Sequence, residues 1–112
     1  MNMRYTVLKN NIFKSQEYSL VPLRKEDMLL IKKWRNDQII ILRQRKPLTD
    51  EDQINYYNQV VLPSFSQMKP NIILFSYLKK DECIGYGGLV HIDWDNRKAE
   101  LSFLMNTERA NN

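Results

Sequence analysis

The first half of the chain carries apolar residues at helical spacing. Between Glu26 and Asn36 they recur along one side, and lysine and arginine occupy the other. The apolar set is Met28, Leu29, Ile31 and Trp34. A second helix is predicted to begin at Thr49, whose hydroxyl can cap it, with Asp52 at the reciprocal position of a capping box. Because proline cannot continue a helix, we expect this helix to end at Pro63.

Strand-like segments precede the helices. Residues 4–8 and 12–14 predict a short strand pair with its turn at Asn10 and Asn11. Residues 17–24 predict a further strand, and the proline in it indicates that pairing ends there.

The pattern becomes strand-like throughout after residue 70. Three apolar stretches, 71–78, 83–94 and 99–105, are separated by the polar turns "KKDE" and "DNRK", which is typical of an antiparallel meander. We therefore predict a single α+β domain over residues 1–112: a strand, two helices, then a three-stranded antiparallel meander.

Composition narrows the possible function classes. The net charge of +4 reflects 17 basic against 13 acidic residues, concentrated in residues 23–35 and 42–46. This excess favours an anionic ligand, although a solvated helix face explains it as well. No apolar run is long enough to span a bilayer, and the polar N-terminus does not resemble a signal peptide, so a cytoplasmic location is expected. One cysteine and one histidine supply neither a disulfide nor the usual zinc set, so we expect no metal.

The stretch "GYGG" contains all three glycines of the chain, Gly85, Gly87 and Gly88. A phosphate-binding loop would lead into a helix, but "LVHIDW" follows and favours a strand. Glycines inside a strand indicate either a bend or bulge, or close approach by another backbone, an aromatic ring or a ligand. Both alternatives stay open at this point.

Three segments in order resemble the first part of the GCN5-related N-acetyltransferases. They are "YSLVPLRKEDMLLIKKWRND", "ILFSYLKKDECIGYGGLVHID" and "AELSFLMN", which together extend from Tyr18 to beyond Met105. The likeness is greatest to the bacterial branch that acts on ribosomal-protein amino termini or on amino sugars. It implies a transferase that uses acetyl-CoA.

The resemblance also implies where the cofactor binds. "AELSFLM" corresponds to the fourth strand of the family, and the pantetheine arm of acetyl-CoA would pair with the backbone of Phe103, Leu104 and Met105. The family continues with a glycine-rich pyrophosphate loop, whereas residues 106–112 contain no glycine. We therefore expect a truncated protein, an isolated N-terminal part or a natural remnant.

Glu100 is the candidate catalytic residue, because some family members place at this position a carboxylate that accepts the amine proton. The alternative is a structural carboxylate paired with Arg97 or Lys98. His91 could act as an acid or base, but a lone histidine in an apolar strand is usually structural. Cys83 has no evident base partner, which argues against a thiol nucleophile.

The acceptor side is expected at the end of the first helix. Trp34, Arg35 and Asn36 match the "WRN" that lines this side in the family, and Tyr86 could stack on an acceptor. Trp34 could instead be core, and Arg35 could instead bind the last carbonyls of its helix.

Basic residues between the helices could bind an acceptor that carries phosphate, such as a nucleotide sugar, although a solvated connection explains them equally. They are Arg43, Arg45 and Lys46.

Three functions remain in competition. The first is acetyl transfer to a primary amine of a small molecule or a protein terminus. The second is a non-catalytic fragment that forms a homodimer through its exposed strand edge. The third is a small nucleic-acid-binding domain, which the net charge favours but no motif supports.

Overall fold

The computed structural model describes residues 3–38 and 46–107. Its strands are β1 (Phe13–Ser15), β2 (Tyr18–Pro22), β3 (Ile73–Lys79), β4 (Glu82–Asp93) and β5 (Lys98–Met105). Its helical elements are a 3-10 turn (Lys25–Asp27), α1 (Met28–Asp37), α2 (Asp50–Tyr56), a π-helical turn (Tyr57–Val61) and α3 (Leu62–Ser64). The predicted α+β class and the C-terminal meander are confirmed. Arg43 and Arg45 lie outside the described residues.

The strands form one antiparallel sheet in the order β1-β2-β3-β4-β5. The predicted pairing of residues 4–8 with 12–14 is wrong, because β1 pairs with β2 instead. The cause is the side chain of Asn11, which accepts from the Tyr5 N–H at 2.7 Å and donates to the Tyr5 carbonyl at 3.1 Å. These bonds fold the segment between them into a compact loop in place of a hairpin strand.

Helix α1 follows the predicted pattern with one exception. Met28, Ile31 and Trp34 are buried, whereas Leu29 is 46% exposed. Just before α1, Arg24 and Asp27 form a bidentate pair: the Arg24 guanidinium donates to both oxygens of the buried Asp27 carboxylate, at 2.8 and 2.9 Å. This geometry fixes the direction in which α1 leaves the sheet.

The capping box of α2 is confirmed. The Asp52 N–H donates to Thr49 Oγ1 at 3.1 Å, and the Thr49 N–H donates to the Asp52 carboxylate at 3.0 Å. The predicted stop at Pro63 is wrong, since helical structure continues to Ser64. The π-helical turn ends just before Pro63, which thus lies in the first turn of α3, where the missing N–H is tolerated.

A tyrosine from the N-terminal loop extends the sheet where β2 ends. Pro22 pairs with Phe75 as the last residue of β2. Beyond it, the Tyr5 hydroxyl donates to the Leu74 carbonyl at 2.8 Å and accepts from the Leu74 N–H at 2.6 Å. The Tyr5 ring is fully buried and packs edge-on against Phe65 at 4.8 Å. One side chain thereby satisfies two backbone groups at the edge of β3.

The two faces of β5 differ in burial, as the alternation of its residues predicts. Leu104 is 8% exposed on the face that carries the helices. On the opposite face Leu101 is 73% exposed and Phe103 is 55% exposed. The helices thus cover one face of the sheet, and the cavity described below lies under them.

We predict that Tyr5→Phe lowers the free energy of unfolding by about 1–3 kcal/mol, because it leaves the buried Leu74 N–H without an acceptor. Urea denaturation followed by circular dichroism measures this loss. The matched control is Tyr18→Phe, since the Tyr18 ring stacks on Tyr77 without a hydrogen bond from its hydroxyl among the described residues. Equal stability of the two variants would contradict the role of the Tyr5 hydroxyl.

Candidate functional site

The glycines of β4 allow its two neighbours to approach closely. A Cβ atom at Gly87 would clash with the Ser102 carbonyl and the Phe103 ring, and one at Gly88 would clash with the Ile73 carbonyl. Gly88 also has φ +152°, which disfavours other residues. A register shift adds a bulge at Ile84, just before the glycines. The sequence left open whether these glycines mark a bulge or a close approach by another group, and the structure shows both. The approaching groups are backbone carbonyls and the Phe103 ring.

A cavity of about 520 Å³ lies between α1, α2 and the sheet. Its apolar floor is formed by Leu23, Met28, Ile31 and Leu74. Its polar and aromatic lining includes Arg35, Lys46, Asp52, Tyr56, Tyr86 and Ser102. The volume falls within the range of pockets that hold small organic ligands.

The predicted acceptor residues of α1 take different places around this cavity. Arg35 lines it and donates from Nη1 to the Tyr86 hydroxyl at 2.8 Å. Asn36 does not line it but holds Leu48, which does, through two hydrogen bonds of 2.7 and 3.0 Å to its backbone. Trp34 is buried in the core and is absent from the lining. The structure therefore brings Arg35 and Tyr86 together and gives Asn36 a positioning contact.

Burial and hydrogen bonds set the protonation of the cavity lining. The pKa of Tyr56 is raised, mainly by burial and further by the nearby Tyr86. The pKa of Asp52 is lowered because the Thr49 N–H donates to its carboxylate. At neutral pH the cavity thus presents a neutral Tyr56 hydroxyl and an ionised Asp52 that already serves the capping box.

Glu100 is not among the described lining residues of the cavity, but it lies on the same sheet face as Ser102, which is. It is paired across the sheet with Val90, which also lines the cavity. A bulge after Val90 gives His91 a φ of +51° and brings its Nε2 to 3.8 Å from the Glu100 carboxylate. Within the described residues, the basic side chain nearest the Glu100 carboxylate is therefore that of His91, and not that of Arg97 or Lys98 as the structural alternative supposed.

The expectation that His91 is a structural residue of an apolar strand is wrong. Its side chain is 78% exposed. The bulge turns it out of the regular alternation, and residue spacing alone gives no sign of such a bulge.

The free edge of β5 presents alternate backbone groups. The Asn106 N–H donates to the Ile84 carbonyl at 3.0 Å, which fixes the hydrogen-bonded pairs of the ladder at even-numbered residues of β5. The backbone groups of Phe103 and Met105 consequently face outward, and the Met105 carbonyl accepts from Gln38 Nε2 at 3.1 Å. Leu104, the third residue of the predicted cofactor set, differs from these two, because its backbone bonds to β4 and its side chain is buried.

The possible metal ligands and the single thiol complete the description of the candidate site. No cluster of His, Cys, Asp and Glu able to hold a metal ion occurs within residues 3–38 and 46–107. Cys83 is buried, its thiol donates to the Gly85 carbonyl at 3.3 Å, and burial followed by the Asp27 carboxylate raises its pKa to about 12. Across the same residues, no helix has the length and apolar character needed to cross a membrane.

Comparison with known proteins assigns the family. The sequence model of the Acetyltransferase (GNAT) domain matches residues 20–112, which is most of the chain. The chain belongs to the GNAT acetyltransferase family. No curated protein sequence matches it.

Solved GNAT structures share the fold at low sequence identity. A chimeric spermidine N-acetyltransferase from Vibrio cholerae superposes with a TM-score of 0.67 and 17% identity, covering 83% of this chain and 52% of that one. The spermidine N-acetyltransferase of Vibrio cholerae in complex with CoA and spermine gives 0.65 and 18%, covering 84% and 54%. The ribosomal-protein-S5-alanine acetyltransferase of Vibrio fischeri gives 0.58 and 15%, covering 88% and 57%. The chain spans a little more than half the length of these GNAT structures.

Sequence reasoning missed two residues of the candidate site. Ser102 lines the cavity, and its position two residues after Glu100 on the same strand face could have indicated it. Gln38 contacts the free edge of β5, and no sequence signal pointed to this contact.

We predict that Cys83 resists alkylation by iodoacetamide at pH 8 in the folded chain and reacts readily in urea, because only the thiolate is nucleophilic. An unfolded cysteine has a pKa of about 8.5. The buried, protonated Cys83 thiol therefore contributes its full stabilisation of the fold below the unfolded-state pKa. This stabilisation is lost as the pH rises towards the folded-state pKa of about 12.

The control is Cys83→Ala, whose urea midpoint should fall less than that of the parent chain between pH 8 and pH 10. Alkylation that is equally fast with and without urea would contradict the burial of this thiol.

Proposed function

We propose that the chain is an N-acetyltransferase that moves the acetyl group of acetyl-CoA to a primary amine. The observation that carries the proposal is the cavity under α1 and α2, whose lining residue Val90 pairs across the sheet with Glu100, in a chain of the GNAT family. The acceptor is a small molecule such as an amino sugar, or a protein amino terminus. The cytoplasmic location and the absence of a nucleic-acid partner stay predictions.

Glu100 is proposed as the proton acceptor. When bound, acetyl-CoA supplies an activated acetyl group as a thioester. The amine nitrogen forms a bond to the acetyl carbon, the carbon–sulfur bond breaks with its electron pair on sulfur, and the nitrogen proton passes to the Glu100 carboxylate directly or through water. Glu100 suits this step because it shares the sheet face of Val90 and Ser102, which line the cavity.

The cofactor is proposed to pair with the free edge of β5 through the outward backbone groups of Phe103 and the N–H of Met105, whose carbonyl already accepts from Gln38. An edge strand offers such unpaired groups to any extended ligand. The fit is supported by the position of this edge, since β5 is the outer strand of the described sheet and also carries Glu100. The Leu104 N–H and carbonyl take no part, as they bond to β4.

A homodimer formed through β5 is a second candidate. It is favoured by the exposure of Leu101 and Phe103 next to an unpaired edge, a combination that promotes strand pairing between chains. Sedimentation at increasing protein concentration tests it. A mass that stays monomeric throughout would count against this candidate and leave the acetyltransferase proposal intact.

We predict that Glu100→Gln lowers acetyl transfer by roughly 100- to 10,000-fold, the usual contribution of a positioned acid or base. CoA release measured by chromatography, with a panel of amino sugars and short peptides as acceptors, reports turnover. CoA affinity measured by calorimetry should stay unchanged, since the cofactor meets the backbone edge.

The matched control is Glu82→Gln, which removes an exposed carboxylate at the other end of β4. Turnover by Glu100→Gln equal to that of this control would exclude the proposed role. No transfer to any acceptor by the parent chain, together with no CoA binding, would exclude the function itself.

A further inference from the structure

Among the described residues that line the cavity, side chains that donate hydrogen bonds outnumber carboxylates. Arg35 and Lys46 bring positive charge, and the hydroxyls of Tyr56, Tyr86 and Ser102 can each donate. The one carboxylate among the described lining residues, Asp52, accepts from the backbone of Thr49. The cavity is therefore complementary to a ligand that carries oxygen acceptors and negative charge.

Arg35 and Tyr86 form the fixed part of this lining. The Tyr86 hydroxyl accepts from Arg35 Nη1 at 2.8 Å, and no described residue accepts the hydroxyl hydrogen in turn. The guanidinium carries several further N–H groups in a planar fork, which suits the two oxygens of a carboxylate or phosphate. Both side chains are half-buried, so solvent screens a bound anion less than it would on an open surface.

The geometry also separates this anchor from Glu100. Tyr86 and Val90 lie on the same face of β4, four residues apart, which corresponds to about 13 Å of strand. Val90 pairs with Glu100, whereas Tyr86 holds Arg35. An acceptor could thus place its amine beside Glu100 while its far end reaches Arg35.

We propose, building on the acetyl transfer proposed above, that the acceptor is an amine with an anionic oxygen group, a carboxylate or a phosphate, that binds Arg35 and Tyr86. A polyamine suits this cavity poorly, because a cationic group at its far end would meet the Arg35 guanidinium, and the one carboxylate of the described lining, Asp52, already accepts from Thr49. The chain therefore differs in acceptor class from its structural neighbour solved with spermine.

Calorimetric binding to the full chain without acetyl-CoA tests this assignment independently of catalysis. Glucosamine 6-phosphate is compared with glucosamine for the phosphate source, and glycylglycine with glycylglycinamide for the carboxylate source. Spermidine is the polyamine probe. We expect at least one anionic probe to bind roughly 10- to 100-fold more tightly than its neutral partner and than spermidine.

Two variants locate the preference. Arg35→Met should abolish it, and Tyr86→Phe should weaken it severalfold while retaining the ring. The matched control is Lys33→Met, which removes the same charge from the exposed face of α1, outside the cavity, and should retain the preference.

The outcomes separate the two proposals. Anion-selective binding that depends on Arg35, without acetyl transfer to the bound amine, supports the anion site and overturns the enzymatic function. Acetyl transfer to spermidine or glucosamine as efficient as to the anionic probes overturns the anion site and supports the enzyme. A preference unchanged by Arg35→Met also overturns the assignment.

Discussion

The close approach of β5 to β4 at Gly87 is the constraint on which the site depends. With a side chain at Gly87, the Ser102 carbonyl and the Phe103 ring could not lie where they do. The register that follows places Ser102 under the helices and opposes Glu100 to Val90. Gly87 thus determines the position of Ser102 in the cavity lining and the direction of the β5 edge, although it bears no functional group of its own.

The helices hold the other walls through a few buried hydrogen bonds. Gln53 Nε2 donates to the Met28 carbonyl at 3.1 Å and ties α2 to the start of α1. Asn36 binds the backbone of Leu48 at both its N–H and its carbonyl. These bonds join segments far apart in sequence, so the cavity is formed by tertiary contacts and not by either helix alone. Removing the Gln53 or Asn36 side chain would leave the backbone group that it binds without a hydrogen-bond partner in a partly buried position.

The features that sequence predicted correctly have local causes. The capping box needs only Thr49 and Asp52, three residues apart, and the meander needs only alternation and polar turns. The missed features depend on distant groups. The Asn11 side chain folds a loop that resembles a hairpin, and a bulge turns His91 outward. To predict that the backbone of Leu104 bonds to β4 and does not face the free edge, one must know the β4–β5 register. That register is a tertiary feature, set by the carbonyl to which each N–H of β5 donates.

Even-numbered and odd-numbered residues of β5 have different roles. The even-numbered residues Glu100 and Ser102 lie on the sheet face of the cavity, which Ser102 lines, and their backbone groups bond to β4. Odd-numbered residues such as Leu101 and Phe103 do the reverse, with apolar side chains on the uncovered face and backbone groups at the free edge. Substitutions at even-numbered positions can therefore change the side chains on the cavity face without altering the backbone groups at the free edge of β5. A shift of one residue in the β4–β5 pairing would exchange both roles at once, which is why glycine at position 87 matters more than any single polar residue of the strand.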